Sequence, residues 1–132
     1  MARAEQAFHH FPEVEKALGY SQAILAGDTL YVSGMISVDA TLAIIGKGDI
    51  RLQTATVYGI LEQVLAHHGM SLRNVVKETL YLTDLGAFTV GREAREAAYE
   101  KAGAYPSAST AVEVKALFSP DAMIEIDMIA VR

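Results

Sequence analysis

Apolar residues recur along the chain in two rhythms. Ile50, Thr54, Val57, Leu61, Val64 or Leu65 and His68 fall at helical spacing, which predicts a helix over 50–68 capped by Gly69. Phe88–Ala102 predicts a second helix, with Phe88, Gly91, Ala94 and Ala98 on one face and Gly103 as its stop. The small residues on that face predict close packing against a sheet. Elsewhere the rhythm is two. Ala23–Ala26, a turn at Gly27-Asp28 and Thr29–Ser33 predict a hairpin, and Gly34 marks a bulge or a close backbone approach. Residues 37–48 read as a loop, and Val75–Thr83 as a strand.

The last two strands alternate most clearly. Thr110, Val112, Val114 and Ala116 oppose Ser109, Ala111, Glu113 and Lys115, and Ile124, Ile126, Met128 and Ala130 oppose Glu125 and Asp127. Paired as a hairpin, these strands would place one set under the helices and leave Glu113, Glu125 and Asp127 on the other face. That face would also carry Tyr81, Ile129 and Val131, a mixed character that predicts a partner subunit. The element order is β-β-α-β-α-β-β: an α+β domain, one sheet with both helices on one face.

Composition narrows the classes. The 132 residues form one domain, 1–132, with no repeat, linker or low-complexity tract. A hydrophobic fraction of 52% fits either a large core or a buried subunit interface, and the interface is the favoured reading. The net charge of −5 and the lack of a Lys/Arg run argue against nucleic-acid and membrane-surface binding. No cysteine is present, which excludes disulfides, thiolate metal sites and a thiol nucleophile. The opening Met1–Gln6 lacks an apolar leader core and no apolar stretch is long enough to span a bilayer, so a soluble cytoplasmic protein is expected.

Candidate chemistry is sparse. Glu113, Glu125 and Asp127 stand on strands, where partial burial can raise a carboxyl pKa and suit it to acid–base work. The alternative is a solvated face, or an ion pair with Lys115 or an arginine. His9-His10 and His67-His68 lack a chelating spacing, and the second pair suits a helix end. Gly46-Lys47-Gly48-Asp49 precedes a helix and reads as a flexible lead-in or an anion cradle. Tyr20 and Tyr105 sit in loops beside strand ends, either as pocket walls or as ordinary anchors. From residues alone, the reading stops at an oligomeric α/β domain with carboxylates on one sheet face.

Several segments taken together resemble one family. Gly19-Tyr20-Ser21-Gln22-Ala23 with Leu30–Ile36 is similar to the opening "YSQA…(I/V)SGQI" of the Rid (reactive intermediate deaminase, YjgF/UK114) proteins. Asn74–Leu85 resembles their "NVVKTTV…DL" strand, and Ile124–Val131 their closing "IEIEAIAV". The resemblance covers residues 18–132. It implies a chorismate-mutase-like fold, a homotrimer with small-molecule sites in the intersubunit clefts, and no cofactor. It implies hydrolysis of imines or enamines such as 2-aminoacrylate, in which an arginine clamps the substrate carboxylate and a glutamate positions water. The glutamate corresponds to Glu125, the tyrosine of the site to Tyr20 and its turn to Ser33-Gly34.

The arginine has no counterpart. Its "(F/Y)PAR(S/T)" segment reads Tyr105-Pro106-Ser107-Ala108-Ser109-Thr110 here. Alignment back from Val112-Glu113-Val114 places Ser109 at the arginine, whereas alignment forward from Tyr105-Pro106 places Ala108 there. Ser109 and Thr110 are carried as candidate substrate contacts. Arg51, Arg92 and Arg95 are carried as arginines that could supply charge from another direction, with Arg92 and Arg95, on the second helix, expected as solvated surface residues. The family's glutamine after "SG" is Met35, and its "DLNDF" is Asp84-Leu85-Gly86-Ala87-Phe88. The expected function is therefore hydrolytic deamination of a small imine, enamine or related amino compound other than 2-aminoacrylate. A non-catalytic metabolite-binding trimer is the alternative. Ribonuclease or translation inhibition, attributed to some relatives, conflicts with the acidic charge.

Overall fold

Asp49 opens the longer helix. Its carboxylate accepts the Leu52 N–H at 3.0 Å, satisfying one of the free donors of the first turn. The Gly46–Gly48 segment is thus a lead-in, and the helix N-terminus is held by the chain's own acid. The computed structural model describes residues 6–132. Residues 1–5, most of the segment read above as lacking a leader core, lie outside it.

In chain order the elements are β1 (Ala7–Phe8), α1 (Pro12–Leu18), β2 (Ala23–Ala26), β3 (Thr29–Ile36), α2 (Ile50–His67), β4 (Val75–Leu82), α3 (Phe88–Ala102), β5 (Ala108–Glu113) and β6 (Ile124–Val131). A single turn of 3₁₀ helix, Leu72–Asn74, leads into β4. The hairpin and both long helices stand where the apolar rhythm placed them. The two short N-terminal elements carry no rhythm and were not anticipated.

One six-stranded mixed sheet runs in the order β1-β2-β3-β6-β4-β5, antiparallel throughout except that β4 and β5 are parallel. The expected β5–β6 hairpin does not form. β6 inserts between β3 and β4, and α3 carries the chain across so that β5 pairs with the far edge of β4. A parallel neighbour requires such a crossover.

This pairing reverses the faces of β5. Tyr81 is opposite both Glu125 and Val112, and Leu82 is opposite Glu113. Thr110 and Val112 therefore share the uncovered face with Tyr81, Glu125 and Asp127. Ser109, Ala111 and Glu113 lie on the helix side. Glu113, expected beside Glu125, instead accepts the Leu85 N–H at 3.0 Å. Val114 and Ala116, expected on the core face, lie beyond the end of β5, and every residue of β5 is exposed.

The core forms between α2 and the central strands, where Leu30, Val57, Leu61, Leu65, Leu82, Ile124 and Ile126 are fully buried. The small face of α3 packs on α2 rather than on the sheet. A Cβ at Gly91 would stand 2.9 Å from Thr54 Oγ1 and 3.0 Å from Ile50 Cγ1, so only glycine permits this approach. Among the described residues, no helix is long and apolar enough to cross a membrane. The uncovered face carries the exposed Tyr31 and Val131 with the half-buried Ile129 and Tyr81, the mixed character expected for it.

Candidate functional site

The site begins at an irregularity in β3. Val32 pairs with Met128 and Met35 with Ile126, so β3 spends three residues where β6 spends two. The extra residue makes a bulge at Ser33-Gly34. Its polar groups are engaged locally: Ser33 Oγ donates to Ser21 O at 2.7 Å, the Ser33 N–H to Gln22 O at 2.8 Å, and Gln22 Nε2 to Ser33 O at 2.9 Å. Ser33 thus shapes the turn. Gly34 faces Glu125 so closely that a Cβ there would lie 2.7 Å from both Cδ and Oε2 of the carboxyl.

A cavity of about 280 Å³ opens at this point. Tyr20, Gly34 and Glu125 line it together with Phe11, Leu18, Met35, Ile36, Val38, Leu42 and Phe118. Five separate segments contribute these walls: the N-terminal turn and α1, the strand β3, the loop that follows it, the stretch between β5 and β6, and β6 itself, which carries Glu125. Glu125 is its one charged lining residue among those described. Burial pushes the Glu125 carboxyl above its ordinary range, and the neighbouring Asp127 pushes it further. Asp127 is held by the Tyr81 hydroxyl, which donates to it at 2.9 Å. The Tyr20 hydroxyl is raised in turn, first by burial and then by Glu15 and Glu125.

Such an arrangement can hold a small, largely apolar molecule with its polar end at Glu125. A carboxyl with a raised pKa exchanges protons nearer neutrality than an ordinary one, which suits alternating base and acid roles.

Two candidates fall elsewhere. Ser109 Oγ donates to Glu78 Oε1 at 3.2 Å on the helix side of the sheet, and Thr110 Oγ1 accepts from Lys77 Nζ at 2.8 Å. Tyr105 is almost fully exposed. Among the described residues, no group of three acidic or imidazole side chains could hold a metal ion. His67 stacks on Phe8 with ring centroids 4.1 Å apart, and His68 Nδ1 lies 2.8 Å from Val64 O.

Two buried acids escaped the sequence reading. Glu78 is fully buried and accepts from Tyr58 Oη at 2.9 Å, Tyr99 Oη at 3.1 Å, Ser109 Oγ and Arg95 Nε. Arg95, expected in solvent, is largely buried by this pair and lies over the Tyr99 ring. Burial pushes the Tyr99 hydroxyl up to about 12. A signal for Glu78 was available, because it shares period-two parity with Leu80 and Leu82. Glu15 is likewise fully buried, and it accepts the Phe11 N–H at 2.6 Å and the Gln22 N–H at 3.1 Å. These bonds tie α1 to the residue that leads into β2, and so fix Phe11, Leu18 and Tyr20 beside the bulge.

Known proteins share this fold and much of this sequence. A RutC family protein from Pyrococcus horikoshii is 40% identical over 113 residues, covering 86% of each chain. A rat 2-iminobutanoate/2-iminopropanoate deaminase is 34% identical over 113 residues, covering 86% of this chain and 80% of its own. The solved structure of Escherichia coli TdcF with bound serine superposes with a TM-score of 0.79 at 27% identity, covering 86% and 87% of the two chains. Residues 12–132 match the family described as Endoribonuclease L-PSP, and with these relatives the chain belongs to that family, the Rid (YjgF/UK114) proteins.

Proposed function

We propose that this protein hydrolyses a small imine or enamine to a carbonyl compound and ammonia in the cavity at Gly34 and Glu125. The observation that carries this reading is the Glu125 carboxyl: half-buried, raised in pKa, and set against a glycine that leaves room beside it. Membership of a family that includes a rat 2-iminobutanoate/2-iminopropanoate deaminase supports it. The working unit is a homotrimer, in which the exposed, partly apolar sheet face around Tyr31, Ile129 and Val131 is covered by neighbouring copies.

The chemistry needs only water and one carboxyl group. Ionised Glu125 takes a proton from a water molecule as its oxygen attacks the carbon of the protonated imine, forming a neutral carbinolamine. The same carboxyl returns that proton to nitrogen, then takes the hydroxyl proton as the C–N bond breaks, so that ammonia leaves as the carbonyl forms and the proton passes from Glu125 to solvent. Tyr20 lines the pocket and can hydrogen-bond the nitrogen or the attacking oxygen. The ring of apolar side chains limits the water that reaches the site and strengthens these contacts. The expectation that 2-aminoacrylate is a poor substrate is supported by a cavity lined by no Lys or Arg among the described residues. The same lining and the net charge of −5 give no footing for the phosphate backbone of RNA, despite the family's name.

Ammonia release tests the reading. Imines generated in situ by amine and amino-acid oxidases with catalase should break down faster with the protein than without it. Glu125→Gln should remove about 10²-fold or more of that rate. If no imine is accelerated but small amines still bind, the cavity is a metabolite-binding site and the deaminase assignment fails.

A further inference from the structure

We infer that the ligand of this cavity is an amine-derived imine with a small apolar group and no carboxylate, and that Leu42 sets how large that group can be. The inference rests on the deaminase reading for its chemistry, but on the cavity's own walls for the ligand class.

Charge comes first. A carboxylate ligand would meet Glu125 with no cation among the described lining residues to offset the repulsion, in a hole walled by Phe11, Leu18, Leu42 and Phe118. Burying an unpaired anion there is unfavourable on both counts. The buried guanidinium of Arg95 is engaged with Glu78 on the helix side of the sheet. A protonated or neutral imine nitrogen has the opposite fit, because Glu125 attracts it and the Tyr20 hydroxyl can bond it.

Size comes second. A cavity of about 280 Å³ lies at the lower end of the range for small-molecule pockets, about 300–1,000 Å³. It suits a ligand of a few carbons beyond the reacting centre.

Leu42 is the wall held in place at a backbone cost. It is the one non-glycine residue with positive φ (66°) among those described, a conformation that branched L side chains rarely adopt. The turn around it is over-determined. Asp39 Oδ1 accepts the Thr41 N–H at 2.8 Å, the Thr41 hydroxyl at 2.6 Å and the Ala43 N–H at 3.1 Å. The Leu42 N–H donates to Asp39 O at 3.0 Å, and Val38 bridges to Ile44. Strain kept by that many bonds in a cavity wall points to a specificity role.

The reaction on this substrate balances without any further reagent. R–CH=NH and water give R–CHO and NH₃: the C=N bond is replaced by C=O, and both protons of the water pass to nitrogen, each by way of Glu125 and the second then through solvent.

Binding and turnover separate the two claims. 3-Methylbutylamine and leucine share one apolar group and an amine, and differ only by the carboxylate. Calorimetry should show the amine binding the intact protein at least tenfold more tightly than leucine. Ethylamine should bind more weakly by about fourfold per methylene lost. Leu42→Gly removes both the side chain and the strain, so it should fold as well as the parent and lose most of the preference for the longer amine. Leucine binding as tightly as the amine, or neither binding, overturns the ligand class. Undiminished chain-length preference in Leu42→Gly overturns the role of Leu42. The imines made from the same pair by oxidases then test the chemistry. Tight amine binding without imine hydrolysis upholds the ligand class and defeats the deaminase reading. Faster hydrolysis of the leucine imine does the reverse.

Discussion

Adding one methyl group at position 34 should uncouple activity from stability. A Cβ there would lie 2.7 Å from Glu125 Cδ and Oε2 and 3.0 Å from Cγ. Non-bonded carbon atoms prefer separations of roughly 3.5–4.0 Å, so the carboxyl must retreat by about 0.8 Å or more. The obstacle is the end of a rotatable, half-buried side chain, and the bulge backbone is undisturbed. The cost to folding is then about that of an off-rotamer side chain, roughly 0.5–1.5 kcal/mol, or a few degrees in Tm for a chain of this length. Catalysis is less forgiving, because a misplacement of about 1 Å can cost on the order of 10²-fold. Gly34→Ala should therefore melt within about 5 °C of the parent yet lose ten- to a hundredfold in ammonia release from its imine substrate. Calorimetry and the coupled assay measure the two quantities on one preparation. Unchanged turnover would show that the Glu125 position does not matter to the chemistry. A collapse in Tm would show that the methyl group strains the bulge itself.

Other consequences follow from the same geometry. The raised Glu125 pKa means that the folded protein holds this proton to higher pH than the unfolded chain, so its contribution is present at acid pH and is lost as pH rises through the folded value. Glu125→Gln should accordingly raise Tm at pH 7 more than at pH 4, and equal shifts at both would contradict the assignment. Arg95→Ala strands a fully buried Glu78 and should cost about 3–5 kcal/mol, whereas Arg95→Met with Glu78→Gln should recover part of that in the same melt. Hydrolysis of enzymatically generated 2-aminoacrylate should be at least 10²-fold slower than by an arginine-containing relative, since a charge-assisted hydrogen bond contributes roughly 1.5–3 kcal/mol and a clamp uses two. Ser109→Arg should not restore it, because that side chain enters the helix side beside Glu78 and Arg95; recovery would show a different path for β5. Light scattering at micromolar concentration should give three times the 14.2 kDa of one chain, and a monomer would contradict the proposed homotrimer.

What the sequence revealed depended on whether a signal was local. Both long helices are legible because an apolar stripe and a glycine stop lie within one segment, and the Gly34 bulge because glycine interrupts a run of β-formers. The place of β5 is not local. Neighbours in sequence usually pair, so β5 and β6 read as a hairpin, but β6 is sandwiched between β3 and β4 and β5 is left as an exposed edge. An edge strand with every residue exposed gives its alternation no core to report, which is why its faces came out reversed. Glu125 and Tyr20 were named through family resemblance and do meet in one cavity. Ser109 and Thr110 were named in the same way and do not line it, since Ser109 bonds Glu78 and Thr110 bonds Lys77 instead. The walls Phe11, Leu18, Leu42 and Phe118 were invisible, because only the folded chain brings them together. Glu78 shows a signal passed over: an acid in phase with buried leucines must find partners inside the protein.

The location of the site is tested most directly by a crystal structure of the protein soaked with 3-methylbutylamine, a stable stand-in for the amino end of the substrate. The account predicts its nitrogen within about 3.2 Å of a Glu125 oxygen and its apolar end against Phe11 and Leu42. An amine bound elsewhere on the protein, with the Gly34–Glu125 cavity left to solvent, would contradict it.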